Sequence, residues 1–187
     1  MTPQTRRQRE RAEREQLIIT AARELAEAEG WEAVTTRRLA ERVEYSQPVL
    51  YSHFAGKDAI MAAVALEGFT ELAAQMRAAR EHSADPLAGV SAAYIDFAEQ
   101  RPALYDAMFS RSLTLPFATP ETPAAMQACF EELLHVVRPI AATDDEGLLA
   151  ELLWSALHGL ATLTAGGRLP RELHDRRLAL LLARLST

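Results

Sequence analysis

Cysteine and long apolar runs are scarce in this sequence, and each scarcity excludes a class of protein. Cys129 is the one cysteine among 187 residues, so an internal disulfide is impossible and a reducing compartment is indicated. No uninterrupted apolar run reaches the roughly 18 residues of a membrane span. The arginine-rich N-terminus has no signal-peptide core. These features predict a soluble, cytoplasmic protein without membrane contact.

Motifs of enzymes and metal sites are also absent from the sequence. It contains no dinucleotide-binding, phosphate-loop, nucleophile-elbow or zinc-protease motif. The five histidines are scattered and show no metal-ligand spacing. We interpret Glu131 and Glu132 as part of a solvated helix face, and residues 144–146 as the first turn of a helix. We therefore expect no enzymatic activity, no metal and no cofactor.

Helix-forming residues are abundant. Ala, Leu, Glu and Arg dominate the sequence, and no segment alternates β-branched with polar residues over the length of a strand. Apolar residues recur at helical spacing, with proline and glycine between the segments. The pattern predicts an all-α protein of about nine helices, with an irregular segment at 110–123. The predicted helices cover about 11–29, 36–42, 47–54, 57–82, 86–100, 102–110, 123–139, 144–166 and 170–185.

The first three predicted helices have the lengths and spacing of a helix-turn-helix unit. Thr35 and Ser46 are suited to cap the second and third helices, and Pro48 is suited to a first helical turn. In the major groove, Gln47 could bind adenine and Val49 could meet a thymine methyl group. The predicted DNA contacts are Thr35, Thr36, Ser46, Gln47, Pro48, Val49, Tyr51, Ser52, His53 and Lys57.

The charge distribution also favours a DNA-facing N-terminal end. Residues 1–58 carry ten basic and ten acidic side chains, whereas residues 59–187 carry ten and 16, which accounts for the net charge of −6. Lys57 is the one lysine and stands in a first helical turn, where a cation opposes the helix dipole unless a phosphate binds there too. We expect the N-terminal arginines to form a disordered arm, with entry into a flanking minor groove as the alternative.

A gapless pattern of residues runs through residues 14–64. It comprises Ile18, Ala21, Ala22, Leu25, Gly30, Thr35, Leu39, Ala40, Ser46, Leu50, Tyr51, His53, Phe54, Lys57 and Ile60. This pattern resembles the DNA-binding domain of the TetR family of bacterial transcriptional regulators. The resemblance implies a homodimer that binds operator DNA and releases it when a small molecule binds in the C-terminal domain. One position departs from the family, because Glu44 stands where glycine is usual, so the turn is either reshaped or strained by about 1 kcal/mol.

The C-terminal half carries a local signature and a set of aromatic and methionine side chains. Trp154, His158 and Gly159 resemble the W-x-x-x-H-G segment of a C-terminal subtype of the same family. Gly159 in mid-helix predicts a close helix approach. His158 is either a buried, hydrogen-bonded histidine or a polar contact for an apolar or aromatic effector. The predicted effector-binding residues are Tyr94, Phe97, Tyr105, Met108, Phe109, Met126, Phe130, Trp154 and His158.

The last two predicted helices are rich in leucine on more than one face, so one face must pack against a second copy of the chain. Such a dimer would place two recognition helices about one DNA turn apart. The predicted dimer contacts are Leu152, Leu160, Leu163, Leu178, Leu181 and Leu185.

These patterns together predict a ligand-responsive repressor. Residues 1–56 would form its DNA-binding domain and residues 57–187 its effector-binding and dimerisation domain. Two alternatives stay open. One is an activator of the same architecture, and the other is a helical small-molecule-binding or interaction protein that no longer reads DNA.

Overall fold

Helices form nearly all of the regular structure. The computed structural model describes residues 3–109 and 115–185, and no strand occurs within them. This confirms the predicted all-α fold. The described elements are α1 (Pro3–Glu29), a 3-10 helix (Trp31–Ala33), α2 (Thr36–Arg42), α3 (Gln47–His53), α4 (Lys57–His82), α5 (Pro86–Gln100), α6 (Pro102–Phe109), α7 (Ala124–Val137), α8 (Glu146–Ala165), a second 3-10 helix (Arg171–Leu173) and α9 (His174–Leu185).

Several helix ends follow the capping residues in the sequence. Gly30 ends α1 with φ of 82°, a conformation that favours glycine. The Thr35 hydroxyl caps α2 by accepting a backbone hydrogen bond, and the Asp145 carboxylate caps α8 in the same way. Ser46 stands at the N-cap of α3 but makes no side-chain capping bond there.

Helix α1 begins earlier than its apolar pattern predicts. The arginine-rich segment is helical from Pro3 onward, so the prediction of a disordered arm was wrong. The physical reason is a series of ion pairs at i,i+4 spacing, which stabilise an exposed helix. These pairs are Arg6–Glu10 at 2.7 Å, Arg9–Glu13 at 3.8 Å and Arg11–Glu15 at 2.8 Å.

The chain packs as two compact units. The first unit comprises Met1–Gly68 and Arg101–Pro116, and the second comprises Phe69–Gln100 and Phe117–Thr187. The division falls inside α4, and α6 packs with the N-terminal helices. The predicted functional boundary between residues 56 and 57 stays a prediction. The core of the first unit includes Ile18, Leu39, Leu50, Ile60 and Leu104, and that of the second includes Met76, Tyr94, Phe97, Leu153 and Leu157.

Two helices are long and apolar enough to span a membrane when judged by length and composition alone, namely α4 and α8. Within the most apolar stretch of α4, 50% is buried inside the protein. Helices in the core of a soluble protein meet the same criterion, because a buried helix is apolar on most of its surface. The exposed apolar surface of α8 is concentrated on one face.

Glu132 is buried, so its predicted place on a solvated face was wrong. Its side chain is 2% exposed, and its two carboxylate oxygens accept hydrogen bonds from Arg77 at 2.9 Å and Arg80 at 2.7 Å. Burial alone would raise the pKa of Glu132. The hydrogen bonds from Arg80 and Arg77 outweigh this effect, so the pKa lies below its ordinary value. The bridge joins α7 to α4 within the second unit.

The predicted irregular segment 110–123 is partly described. Residues 110–114 lie outside the described residues, and residues 115–123 contain no helix. Phe117 packs edge-on against Phe69, with ring centroids 6.2 Å apart. This contact lies within the second unit.

Candidate nucleic-acid interface

Helix α3 has one buried side and one exposed side. Leu50 is fully buried and anchors the helix to the first unit. The exposed side chains are Gln47, Pro48, Val49, Tyr51 and Ser52. Together they offer an amide, a phenol and an apolar surface, which are the groups that recognise base edges and phosphates. The Ser52 hydroxyl donates to the backbone oxygen of Val49 at 2.6 Å.

Tyr51 and Thr36 form a polar pair between α3 and α2. The phenol oxygen lies 3.5 Å from the Thr36 hydroxyl, and Tyr51 is 52% exposed. Thr35, at the N-cap of α2, is exposed beside them in the chain. The arrangement places hydroxyl groups next to the exposed side of α3, where they can bind phosphate oxygens.

The turn between α2 and α3 has a left-handed residue without glycine. Glu44 adopts φ of 56°. The amide of Tyr45 donates to the Ala40 oxygen at 2.9 Å, and the amide of Glu44 donates to the Glu41 oxygen at 3.4 Å. These two bonds form a Schellman motif, which usually has glycine at its left-handed position. Of the two possibilities left open by the sequence, the turn is therefore strained rather than reshaped.

Lys57 is bound within the protein. Its Nζ donates a hydrogen bond to the backbone oxygen of Trp31 at 2.7 Å, and the side chain is half-buried. An ammonium group has three N–H donors, so this bond leaves others that can reach a phosphate. The predicted phosphate contact of Lys57 stays a prediction.

His53 joins the end of α3 to α1. Its side chain is only 7% exposed, and its Nδ1 lies 3.4 Å from a carboxylate oxygen of Glu15. Burial raises the pKa of Glu15, but hydrogen bonds from Arg11 and His53 lower it more, so the carboxylate is held in its charged form. His53 therefore links two helices of the first unit, and its predicted contact with DNA stays a prediction.

Trp31 and Glu27, whose contacts the sequence did not predict, fasten α6 to the C-terminal end of α1. The indole N–H of Trp31 donates to the Ala103 oxygen at 2.7 Å. The Glu27 carboxylate accepts hydrogen bonds from the amides of Ala103 at 3.3 Å and Leu104 at 3.0 Å. An acidic side chain at the start of a helix satisfies free amides and complements the helix dipole. The sequence offered one clue, because a buried tryptophan usually needs a hydrogen-bond partner.

The predicted effector-binding residues divide between the two compact units. Tyr105, Met108 and Phe109 belong to the first unit, where the rings of Tyr105 and Phe109 lie 4.8 Å apart. The others belong to the second unit and comprise Tyr94, Phe97, Met126, Phe130, Trp154 and His158.

Within the second unit, Trp154 and Tyr94 connect α8 to α5. The indole N–H of Trp154 donates to the Tyr94 hydroxyl at 3.0 Å. His158 lies one turn farther along α8 and is half-buried, and burial lowers its pKa below the ordinary value. A half-buried imidazole whose pKa is lowered, one helical turn from Trp154, suits a mostly apolar ligand.

A polar cleft of about 620 Å³ opens in the first unit. Its lining includes Arg23, Glu24 and Glu27 from α1 together with Glu67 and Arg101. None of the predicted effector-binding residues lines it, and its mixed charges differ from the apolar pocket predicted from the sequence.

Helix α8 has an exposed apolar face. Leu148, Leu152 and Leu163 are exposed on it, and Gly159 shares that face by helical spacing. Apart from its chain neighbours and the adjacent backbone of α8 itself, no described atom lies within 4 Å of the Cβ that a larger residue would have at position 159. The close approach predicted at Gly159 is therefore not made within one chain. The other predicted dimer contacts, Leu160, Leu178, Leu181 and Leu185, are half-buried.

Helix α9 also exposes apolar side chains. None of its residues is buried, and Leu180 is 61% exposed. Contiguous exposed apolar surface is a common feature of sites where proteins bind other molecules.

Both halves of the chain match known protein families. A family model described as bacterial regulatory proteins, tetR family, matches residues 18–64. One described as tetracyclin repressor-like, C-terminal domain, matches residues 87–185.

Individual proteins resemble the chain over different lengths. The uncharacterized HTH-type transcriptional regulator YobS of Bacillus subtilis is 29% identical over 160 residues, which cover 84% of this chain and 82% of that protein. Tetracycline repressor protein class C of Escherichia coli is 50% identical over 48 residues, which cover 26% of this chain and 22% of that protein. The solved structure of a protein of unknown function from Rhodococcus sp. RHA1 has a TM-score of 0.77 and 24% identity, covering 92% of this chain and 93% of that one.

Proposed function

The chain belongs to the tetR family of bacterial regulatory proteins, and from this premise we propose that it is a homodimeric repressor that a small molecule releases from its operator. The family model matches at both ends of the chain confirm the resemblance found in the sequence. The family consists of DNA-binding transcriptional regulators, not enzymes. The observation that carries the proposal is the exposed side of α3, which displays base-reading and phosphate-binding groups on a buried leucine anchor.

The proposed DNA contacts fall into two groups. Gln47 and Val49, on the exposed side of α3, read base edges in the major groove. The hydroxyls of Thr36 and Tyr51, with the ammonium of Lys57, bind phosphates and fix the position of the helix on the duplex. A protein with these contacts works inside the bacterial cytoplasm, where its operator lies.

Dimerisation is supported by the exposed leucine face of α8 and by α9, in which no residue is buried. A second copy that packs on Leu152 and Leu163 would remove this apolar surface from water. Gly159 lies on the same face with open space around it, so a helix of the partner could approach the backbone closely there. Two copies also supply two recognition helices, since one short helix reads too few base pairs for specificity.

The proposed effector is apolar or aromatic and binds beside Trp154, His158 and Tyr94. It acts by preferring the conformation that does not fit the operator, and a preference of about 1–3 kcal/mol is typical of such coupling. Helix α4 is the proposed transmitter, because its first residues lie in the first unit and its last residues in the second.

The proposal is tested by an electrophoretic shift assay with the DNA upstream of the gene. The unaltered protein should retain a specific fragment with an affinity that falls steeply as salt rises, since each phosphate contact releases counterions. Tyr51→Ala should lose retention while its helical content and sedimentation stay unchanged. A protein that retains no DNA even at low salt would contradict the proposal and favour a helical binding protein without DNA recognition.

The activator alternative is distinguished by the position of the operator. A repressor's site overlaps or follows the promoter, whereas an activator's site lies upstream of it. Footprinting on the retained fragment, followed by transcription in vitro with and without the protein, decides between the two.

A further inference from the structure

Between Arg6 and Leu17, helix α1 contains no buried side chain. From Arg6 to Leu17 every described residue is exposed or half-buried, and Ile18 is the first residue of the buried stripe. At 1.5 Å per residue, the segment from Pro3 to Leu17 is roughly 20 Å long. This part of the helix is therefore available to a partner.

The face that packs into the core farther along α1 is basic in this segment. Arg7, Arg11 and Arg14 precede Ile18 at the spacings that place residues on one helix face. Ile18 and Leu25 are buried on that face, and α1 packs against α2 and α3. Arg7, Arg11 and Arg14 thus form what we call the arginine stripe.

The arginines on the two sides of the segment differ in their ion pairs. Arg6 and Arg9, on the other side of the helix, are in ion pairs with Glu10 and Glu13. Arg7 and Arg14 are exposed and form no ion pair with another described side chain. Arg11 of the stripe is paired with Glu15, so the positive charge that the protein leaves uncompensated lies at the two ends of the stripe, on Arg7 and Arg14.

The arginine stripe begins where the DNA-reading helix ends. Glu15, next to Arg14 in the chain, lies 3.4 Å from His53, which is the last residue of α3. The C-terminal end of α3 and the Arg14 end of the stripe are thus neighbours within the first unit. A duplex that lies along α3 has its phosphate backbone close to the start of the stripe.

We propose that the arginine stripe binds backbone phosphates of operator DNA beside the segment that α3 reads. The proposal rests on the proposed function, since it assumes that α3 lies in a major groove. From Arg7 to Arg14 the stripe rises roughly 10 Å along the helix. One DNA strand presents a phosphate about every 3.4 Å of duplex axis, so the stripe can meet two or three phosphates. An acidic protein would satisfy the same charges, but the continuity with α3 favours DNA.

The test compares two double variants that remove equal charge from opposite sides of α1. Arg7→Gln/Arg14→Gln removes the ends of the stripe, and Arg6→Gln/Arg9→Gln is the matched control. Glutamine retains helix propensity, and circular dichroism checks that each variant stays helical. Binding is measured over a range of salt on a long operator fragment and on one trimmed at the edge of the site.

On the long fragment, the stripe variant should bind about tenfold more weakly than the unaltered protein. Its salt slope should be smaller by about 1.8, which corresponds to two lost phosphate contacts. The control should stay within about twofold of the unaltered protein. On the trimmed fragment the unaltered protein should fall to the affinity of the stripe variant.

Equal losses in the two variants, or a loss that persists on trimmed DNA, would overturn the stripe proposal and leave the proposed function intact. If the unaltered protein binds no DNA, the proposed function fails and the stripe proposal fails with it.

Discussion

Lys57 donates a hydrogen bond from its Nζ to the backbone oxygen of Trp31, 2.7 Å away, and so ties the start of α4 to the residue that follows α1 and Gly30. The indole of the same tryptophan donates to Ala103 in α6. Three helices of the first unit therefore meet at Trp31, and Lys57 has a structural role in addition to any contact with DNA.

Lys57→Met should lower the free energy of unfolding by about 1–2 kcal/mol, because the backbone carbonyl oxygen of Trp31 loses a charged hydrogen-bond donor. Urea titration measures this change. Lys57→Arg keeps a donor and should recover a large part of the loss. Equal stabilities of the unaltered protein and Lys57→Met would show that the hydrogen bond contributes nothing.

Glu44→Gly should raise the free energy of unfolding by about 0.5–1 kcal/mol. It removes the strain of φ at 56°, and this gain exceeds the added flexibility of glycine in the unfolded chain. The control Glu41→Gly places glycine inside α2 and should destabilise the protein by about 1 kcal/mol. Thermal denaturation of the three proteins gives the comparison, and destabilisation by both substitutions would rule out strain at Glu44.

Gln47→Ala should relax sequence preference more than it weakens total binding. A bidentate contact to one base discriminates by about 1–3 kcal/mol, so affinities for operator variants changed at one position should converge. Competition assays with such variants provide the measurement. A uniform loss across all sequences would instead make Gln47 a phosphate contact.

Glu132→Gln should destabilise the protein at neutral pH by about 1–3 kcal/mol, because the amide is uncharged and only one of its two polar atoms can accept a hydrogen bond from an arginine. The pKa of Glu132 is lower in the folded protein than its ordinary value of 4.5. Its stabilising contribution is therefore complete above pH 4.5 and is lost as the pH falls through the folded value.

The pH dependence of unfolding separates this effect from general charge. The difference between Glu132→Gln and the unaltered protein should shrink with acidification below pH 4.5. The exposed neighbour Glu131 supplies the control, and Glu131→Gln should change stability little at any pH. A difference that stays constant through the acid range would be inconsistent with the ionised bridge.

Gly159→Ala should weaken the dimer while it favours the helix of each chain. A methyl group at this position meets open space within one chain, so the substitution gains helix propensity of up to about 1 kcal/mol. In a dimer the same methyl would hold the partner's backbone away. Sedimentation equilibrium should show a dissociation constant about tenfold higher, and Leu152→Glu should abolish the dimer. An unchanged association in both variants would place the interface elsewhere.

The sequence predicted most helices to within a few residues because their ends carry local information. Thr35 marks the start of α2, and the bounds of α4 and α5 match their predicted ranges. The helical start of α1 could have been inferred as well, since each of its ion pairs joins residues four apart. Apolar periodicity alone does not register such pairs.

The contacts that escaped prediction join residues far apart in the chain. Glu132 binds arginines more than 50 positions away, and Glu27 caps a helix that begins at Pro102. Nothing in a local pattern distinguishes a carboxylate that will be buried from one that stays in water. Glu44 is the converse case, because its position predicted either a reshaped or a strained turn and the backbone angle shows the strained one.

The attachment of α6 by Glu27 and Trp31 bears on how the protein can be dissected. A fragment that ended at residue 56 would leave the indole N–H and the carboxylate without Ala103 and Leu104, and would bare a large apolar ring to water. Such a piece should be poorly folded and aggregation-prone even though it contains the complete helix-turn-helix. Residues 101–116 must accompany it, either by co-expression of both segments or by a short artificial linker, before its DNA recognition can be studied in isolation.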